Sequence, residues 1–313
     1  ANSQEFYKIN VNKSIEDLSI SGSTSTVLVI DSVLLNGGRI ITGANRFAIS
    51  STGTVTGADN TKYIYGNEQI YIPNTLTPSR TFHVGDGSSY APVVVDFSGT
   101  TSGSGSIIAC TSGSDDADIA NSGVDPTKSV NRTWTLTNSS VAGFTSYSAT
   151  YNFAPGDRDA GTTPANFEVR RYTGGTWYAA TAGSRTASST QATNETAFGR
   201  VQIGEKATVT VATHPADTTS CSGTAVTFTS TSSSTPAPTV KWQRDPNTGT
   251  FADITGTMDG GVYSNYTSTT LSISNIAGLG SYKYRAVFTN INGSAASNQA
   301  TLTVTPSPTI TGT

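Results

Sequence analysis

Residues 27–38 read VLVIDSVLLNGG, an apolar run that ends at Asn36, Gly37 and Gly38. Similar runs recur at intervals of roughly 20 residues, the kind of period that indicates a solenoid. They read FYKINV at 6–11, LSISG at 18–22, RIITG at 39–43, FAIS at 47–50, GTVTG at 53–57 and YIYG at 63–66. One run cannot bury its apolar face alone, but stacked runs can. The pattern predicts a short parallel β-helix or β-roll over residues 1–92, with an ordinary antiparallel sandwich as the alternative.

The next part of the chain, residues 93–210, has the pattern of a β-sandwich. Short segments that alternate apolar and polar residues predict strands at 93–97, 132–137, 146–153, 167–172, 176–180 and 198–203. The segment 110–129 is polar and rich in turn residues. It is predicted to be a long loop or two short edge strands.

Residues 211–305 resemble an immunoglobulin-like domain. The features that carry the resemblance are strand patterns at 226–228, at 240–243 around Trp242, at 270–276, and at 282–288, where Tyr284 holds the tyrosine-corner position. Ser230 and Ala286 stand where such domains usually carry the disulfide between sheets. We therefore expect an immunoglobulin-like β-sandwich that is held together by packing around Trp242.

The composition supports an all-β chain and excludes several classes of function. Charged residues make up 12% of the 313 residues and the net charge is −3, and no stripe of Lys and Arg marks a nucleic-acid surface. No apolar run approaches the 18 residues of a membrane span. Aromatic residues at 9% and hydrophobic residues at 35% are sufficient for packed cores.

The two ends of the chain predict connections to other modules. The sequence begins at Ala1 and its one methionine is Met258, so we expect it to be a segment of a longer precursor. Residues 306–313 are bounded by prolines and predict a linker to a following module. The strand-like residues 1–12 are expected either to cap the solenoid or to receive a neighbouring module.

Residues 1 to about 205 also resemble very large secreted surface proteins of Bacteroidetes, many of which leave the cell by the type IX route. The segments that carry the resemblance are LLNGG at 34–38, ITGANRF at 41–47, STGTVTG at 51–57, YIYGN at 63–67, FHVGDG at 82–87, YAPV at 90–93 and VNRTW at 130–134. His83 departs from the Pro expected there. The resemblance implies an extracellular location at the cell surface. It also implies O-glycosylation at Ser32 and Thr218, which follow Asp31 and Asp217.

No catalytic site is predicted from the residues. His83 and His214 are far apart in sequence, and neither lies in a nucleophile motif such as Gly-x-Ser-x-Gly. The acidic clusters at 115–118 and 157–159 are interpreted as solvated loops. The alternative is a Ca²⁺ site formed by Asp116, Asp118, Asn121 and Asp125, whose spacing differs from that of an EF-hand loop.

Two further candidate sites remain open. Trp177 and Tyr178, together with Tyr71, predict an aromatic platform for sugars, unless they belong to the core as alternating strand residues often do. Cys110 and Cys221 are the only cysteines, so they either form a disulfide with each other or are free thiols.

These observations predict a non-catalytic structural segment of a cell-surface adhesin, stalk or filament. Its expected partners are neighbouring modules of the same or sister chains, and glycans in the alternative; no cofactor other than Ca²⁺ is implied. The alternative function is an ancillary carbohydrate-binding module of a secreted hydrolase.

Overall fold

The computed structural model describes residues 3–13, 16–22, 25–74 and 79–307. The chain divides into two compact units, Ala1–Lys206 and Ala207–Thr313. Its regular structure in the described residues consists of β-strands and short 3-10 helices. No helix in that part is long and apolar enough to cross a membrane. The all-β prediction is therefore confirmed.

The described residues of the first unit form nineteen strands. They are β1 (Ser3–Asn12), β2 (Leu18–Ser19), β3 (Thr26–Gly37), β4 (Ile40–Ile41), β5 (Arg46–Ile49), β6 (Thr54–Thr56), β7 (Ile64–Tyr65), β8 (Glu68–Ile72), β9 (Arg80–Phe82), β10 (Val84–Gly85), β11 (Val93–Ser98), β12 (Gly105–Ser112), β13 (Val124–Ser139), β14 (Ser146–Asn152), β15 (Phe167–Thr173), β16 (Thr176–Ala179), β17 (Thr181–Arg185), β18 (Ser189–Glu195) and β19 (Arg200–Lys206). Short 3-10 helices lie at Ile119–Asn121, Pro155–Asp157 and Pro164–Asn166.

The first part of this unit is a parallel β-solenoid. Strands β1, β3, β5 and β8 pair in parallel along one side, and β2, β4, β7 and β10 pair in parallel along a second side. Equivalent residues are about one repeat apart, since Ser3 pairs with Thr26 and Thr26 pairs with Arg46. The solenoid prediction is confirmed, and the antiparallel alternative for these residues is wrong.

Asparagine side chains hold the turns between successive rungs. The Asn45 side chain accepts a hydrogen bond from the Ser25 backbone N–H at 2.8 Å and donates one to the Ile20 carbonyl at 2.9 Å. One rung later, Asn67 donates to the carbonyls of Gly43 and Asn45, both at 3.1 Å. These side chains satisfy backbone groups that the turns leave without a sheet partner.

The solenoid continues into an antiparallel sandwich without a break in the sheet. The strand order of the large sheet is β1-β3-β5-β8-β12-β13-β19-β15-β16, with β6 beside β3. A five-stranded sheet, β17-β18-β14-β11-β9, completes the sandwich. One apolar cluster extends from Val11 in the first rung to Ile203 in β19. The predicted domains 1–92 and 93–210 thus share a sheet and a core.

Two details of the sandwich differ from the sequence prediction. Strand β12 ends at Ser112 and β13 begins at Val124, so long strands enter the predicted loop from both sides and only residues 113–123 connect them. Strands β17 and β18 were not predicted. The sequence of β18 is STQATNE. Its buried residues include Thr190, which is polar, and Ala192, which is small, so the strand lacks an alternation of large apolar side chains.

Residues 207–307, the described part of the second unit, form eleven strands. They are β20 (Val211–Thr213), β21 (Thr218–Cys221), β22 (Val226–Thr229), β23 (Thr231–Ser232), β24 (Thr239–Asp245), β25 (Ala252–Asp253), β26 (Tyr263–Ser264), β27 (Thr270–Ile273), β28 (Lys283–Asn290), β29 (Gly293–Ala296) and β30 (Ala300–Thr305). A 3-10 helix lies at Met258–Gly260.

The pairing of these strands is that of an immunoglobulin-like sandwich. Strand β22 pairs with β27 and β27 with β26, while the facing sheet has the order β21-β30-β28-β24-β25, with β29 beside β28. Strand β21 runs parallel to β30. The predicted immunoglobulin-like fold is confirmed. Residues 308–313 of the predicted linker lie outside the described residues.

The core of the second unit is built around Trp242, as predicted. Its side chain is fully buried, and its indole N–H donates to the Ser268 carbonyl at 2.8 Å. The rings of Phe228 and Tyr284 stack with centroids 4.9 Å apart. Ser230, at a usual disulfide position, is buried and donates its hydroxyl hydrogen bond to the Thr213 carbonyl at 2.7 Å. Core packing and this hydrogen bond are therefore found where such domains usually carry the disulfide between their two sheets.

We expect Asn45→Ala to destabilise the first unit by about 2–4 kcal/mol, because it leaves the Ser25 N–H and the Ile20 carbonyl without their partner. The measurement is urea unfolding followed by a probe in the first unit. The matched control is Asn36→Ala, which removes an exposed hydrogen bond to Asn10 and should change the free energy by less than about 0.5 kcal/mol. Equal losses in the two variants would show that the turn asparagines have no special role.

Candidate functional site

The outer face of the large sheet carries one row of polar and aromatic residues. The strand registers align Cys110, Thr135, Arg200, Tyr172 and Trp177 across five neighbouring strands. The Arg200 guanidinium lies 4.2 Å from the centre of the Tyr172 ring, and the Tyr172 and Trp177 rings are 5.2 Å apart. We call these five residues the outer row.

The acidic loop 113–123 is bonded to the outer row. The carboxylate of Asp116 accepts hydrogen bonds from Arg200 at 2.6 and 3.1 Å. The indole N–H of Trp177 donates to Asp118 at 3.0 Å. The Asp116 backbone N–H donates to the Gln202 side chain at 2.8 Å. The loop therefore uses its acidic residues to fasten itself to the sheet.

The four residues predicted to bind Ca²⁺ each form hydrogen bonds within the protein. Asp116 is paired with Arg200, and Asp118 accepts hydrogen bonds from Asn121 and Trp177, which lower its pKa. Asp125 accepts hydrogen bonds from the backbone and hydroxyl of Thr127 at 2.9 and 2.8 Å. In the described parts of the chain, no group of three or more His, Cys, Asp and Glu side chains could hold a metal ion. Each of these carboxylates has its own partner in the protein, and Ca²⁺ binding by the four residues stays a prediction.

Asp115 of the acidic loop and Asp159 form a carboxylate pair around Ser129. The buried Ser129 hydroxyl lies 2.7 Å from an oxygen of Asp115 and 3.3 Å from an oxygen of Asp159. Gln202 donates to Asp115 at 2.9 Å, and Asn131 donates to Asp159 at 2.8 Å. Burial raises the pKa of Asp115, and the charge of Asp159 adds to the rise. The pair connects the acidic loop to the segment that follows β14.

Arg132 is a fully buried arginine in the first unit. Its side chain is 0% exposed, and it donates to Asp86 at 2.9 Å and to the two oxygens of Asp157 at 3.0 and 3.2 Å. Burial opposes ionisation of Asp86, but hydrogen bonds from Ser88 and Ser89 and the charge of Arg132 lower its pKa overall. We call Arg132, Asp86 and Asp157 the buried clamp. It joins the turn after the last solenoid rung to the sandwich.

The buried clamp was not predicted as a site, although the sequence contains a signal for it. Arg132 alternates with Val130 and Trp134 along β13, and residues two apart in a strand face the same side. Both neighbours are in the core, so the position of Arg132 already indicates a buried charge that needs anionic partners.

Glu68 is a second buried ionisable residue that was not predicted from the sequence. It alternates with Ile70 and Ile72 on β8 and is fully buried. One carboxyl oxygen accepts a hydrogen bond from the His83 backbone N–H, and the other has no hydrogen-bond partner among the described residues. Burial raises the pKa of Glu68 to about 8 and lowers that of His83 to about 4. Near neutral pH both side chains are therefore mainly uncharged.

His83 has a structural setting. Its Nδ1 lies 2.7 Å from the hydroxyl of Tyr90, and the two rings are parallel with centroids 6.2 Å apart. His214, in the second unit, accepts a hydrogen bond from the Asn298 backbone N–H at 3.0 Å. Each histidine side chain therefore has a hydrogen-bond partner within its own unit.

The predicted sugar platform is not assembled. Trp177 is buried, with 6% of its surface exposed, whereas Tyr178 is 47% exposed. Adjacent residues of a strand point to opposite faces, so the two rings cannot present one surface. Tyr178 lies beside the Arg171 guanidinium at 5.3 Å, and Tyr71 is 38% exposed on β8.

The remaining predicted residues lie on strands. Cys110 is on β12 and Cys221 on β21, and both are free thiols in this structure. Burial raises the pKa of Cys110. Ser32 is half-buried within β3, and the hydroxyl of Thr218 donates to the Ala216 carbonyl at 3.3 Å. O-glycosylation at Ser32 and Thr218 stays a prediction.

Comparisons with known proteins give partial similarities. No family model matches the chain. Endoglucanase C of Cellulomonas fimi is 39% identical over 94 residues, which is 30% of this chain and 8% of that protein. This chain therefore corresponds to only a small part of that relative.

Among solved structures, similar chains include a chimeric titin Z1Z2, with 24% identity over 32% of this chain and 98% of that chain and a TM-score of 0.27. Another is the N-terminal Ig1-2 module of the Drosophila receptor protein tyrosine phosphatase DLAR, with 14% identity over 50% of this chain and 89% of that chain and a TM-score of 0.27. The immunoglobulin-like assignment of the second unit rests on its own strand order and core.

We expect Arg132→Ala to destabilise the first unit by about 3–5 kcal/mol, because it leaves Asp86 and Asp157 buried without their cation. Denaturant unfolding is the measurement. The matched control is Arg46→Ala, which removes an exposed arginine on β5 and should have an effect within about 0.5 kcal/mol. Similar losses in both variants would mean that the buried clamp does not stabilise the unit.

We expect Glu68 to make the first unit less stable as the pH rises. Its pKa of about 8 in the folded chain exceeds the ordinary value, so between about pH 4.5 and 8 the folded state keeps a proton that the unfolded state has lost. The pKa of His83, about 4 in the folded chain, has the opposite effect below about pH 6.5, so the free energy of unfolding should fall by up to about 1.4 kcal/mol per pH unit between about pH 6.5 and 8. Glu68→Gln should remove this fall in urea titrations, and the exposed control Glu5→Gln should retain it. An unchanged slope in Glu68→Gln would contradict the assignment.

Proposed function

We propose that this chain is a non-catalytic structural segment of an extracellular surface protein, a stalk, adhesin or filament, that contributes rigid β modules. The observation that carries the proposal is the continuity of the large sheet, which joins the solenoid to the sandwich through direct strand pairing. A shared sheet and core resist bending and local opening, because separating the two parts would break the β8–β12 hydrogen bonds and expose the core.

The use of charged residues in the first unit supports a structural role. Arg132 joins Asp86 to Asp157, Arg200 fastens Asp116, and Arg39 pairs with Asp17 at 2.7 Å. A catalytic group needs a free acid, base or nucleophile within reach of a substrate. The charged side chains of these pairs are instead bound to one another across strands and loops, as expected in a module with a structural role.

The second unit supports the same proposal in a different way. It completes its core without a disulfide by packing Trp242, Phe228 and Tyr284. Immunoglobulin-like sandwiches of this kind are frequent in cell-surface proteins. The extracellular location, the type IX route and the kinship with Bacteroidetes surface proteins belong to the proposal.

The alternative function is an ancillary carbohydrate-binding module of a secreted hydrolase. The similarity to part of endoglucanase C favours it. Against it, the Trp177 indole is buried and bonded to Asp118, so the strongest aromatic candidate in the first unit cannot stack on a sugar. Tyr178 and Tyr71 remain exposed as isolated rings.

We expect the purified chain to hydrolyse neither polysaccharides nor peptides. On a glycan array, the parent chain should bind no more strongly than the double variant that carries Tyr178→Ala and Tyr71→Ala. Immunogold labelling of native cells should place the chain outside the cell envelope. Glycan binding that the double variant loses would favour the ancillary module. Turnover abolished by His83→Ala or His214→Ala would refute the non-catalytic role.

A further inference from the structure

Among the described residues, the first rung of the solenoid has a neighbouring rung on one side only. Strand β1 is the edge of the large sheet and β2 is the edge of the four-stranded parallel sheet, so both sheets end at the same rung. Phe6 is 42% exposed, whereas Val29, its partner one rung further, is 0% exposed. Leu18 is 37% exposed, whereas its partner Ile40 is 0% exposed. The difference arises because these inward side chains lack the neighbour that every later rung has.

A cavity of about 600 Å³ lies at this end. Its lining includes Gln4, Phe6, Ile9, Leu18, Ile20 and Val27. An apolar opening of this size, next to two strand edges that have no further strand partner among the described residues, favours association with another β element. We call the cavity together with the edges of β1 and β2 the open end.

The repeat itself indicates what fits the open end. A covering element must pair with β1 and β2 at the same time and place apolar side chains over the cavity. Strands β3 and β4 do this on the other side of the first rung, and they are joined only by Gly38 and Arg39. A single added strand from a partner would satisfy one edge and leave the other edge and much of the cavity exposed.

We propose that the open end binds one further rung of the same solenoid type, a segment of roughly 20 residues whose two strands run parallel to β1 and β2. The inference rests on the proposed structural function and specifies how such a segment is extended. The added rung places alternating Val, Ile or Leu side chains against Phe6, Ile9 and Leu18. It extends the stack by the same contacts that join the later rungs.

The test uses the full chain with a copied rung. Ser3 and Arg46 occupy equivalent register positions on either side of Thr26. A copy of residues 25–45 is therefore fused directly before Ser3, so that the copied Asn45 precedes Ser3 just as Asn45 precedes Arg46 in the parent chain. Hydrogen exchange should slow roughly tenfold or more at the amides of β1, because their opening then requires breaking a second strand pairing. The amides of the copied strands should also become protected.

Two variants make the result interpretable. In the matched control, the residues of the copy that correspond to Val29 and Val33 are replaced by Asp, which keeps the length but prevents burial, and β1 should exchange as in the parent chain. In the second variant, a Gly-Ser linker joins the copy to Ser3, so docking does not depend on the direct junction. An unprotected copy in both the direct and the linked fusion, with the rest of the chain folded, would overturn the proposal.

Sedimentation of the parent chain distinguishes an added rung from a second copy of the chain as the occupant of the open end. A monomer with fast exchange at β1 agrees with an open end that awaits a rung. A dimer that protects β1 would overturn the rung in favour of a second copy of the chain. These readouts are independent of the turnover, glycan and labelling experiments, so failure here leaves the proposed function standing, and failure there leaves the open end unaffected.

Discussion

Strand β8 is the constraint on which the first unit depends. It pairs in parallel with β5 on one side and antiparallel with β12 on the other. A parallel solenoid and an antiparallel sandwich have different connections and different twist, and they can share one sheet only through a strand that accepts both patterns. Ile70 and Ile72 of this strand lie in the common core, so the junction is closed by burial as well as by hydrogen bonds.

The buried ions are arranged around that junction. Arg132 on β13 reaches Asp86, which follows the last solenoid rung, and Asp157, which follows β14. A buried ion pair contributes little net stability compared with apolar packing, but removing one partner is costly. In this unit the buried clamp ties the turn at Asp86 to the sandwich, so its geometry depends on all three side chains being present.

The sequence predicts the repetitive parts of this fold well because they repeat a physical pattern. The Gly- and Asn-terminated runs indicate the solenoid rungs, and Trp242 with its flanking strands indicates the immunoglobulin-like unit. The pairing of β8 with β12 could not be predicted, because alternation defines a strand but not its neighbour. Strand β18 escaped detection since its core face consists of Thr190 and Ala192. The acidic residues 115–118 were interpreted by composition, whereas their role depends on Arg200, which is distant in sequence and adjacent only in the folded sheet.

The two ends of the solenoid differ in how their strand edges are covered. At the last rung, the backbone N–H of Ala91 donates to the Val84 carbonyl at 3.0 Å, and Gly85 forms a bridge with Tyr90, so the chain folds back along the edge of β10. The other sheet is continued by β12 at the same rung. Repeat proteins need a terminal element that closes their core, and here the sandwich and this turn provide it on one side. In the described residues the stack is therefore directional: its closed side is part of the first unit, and its core side chains are more exposed at β1 and β2.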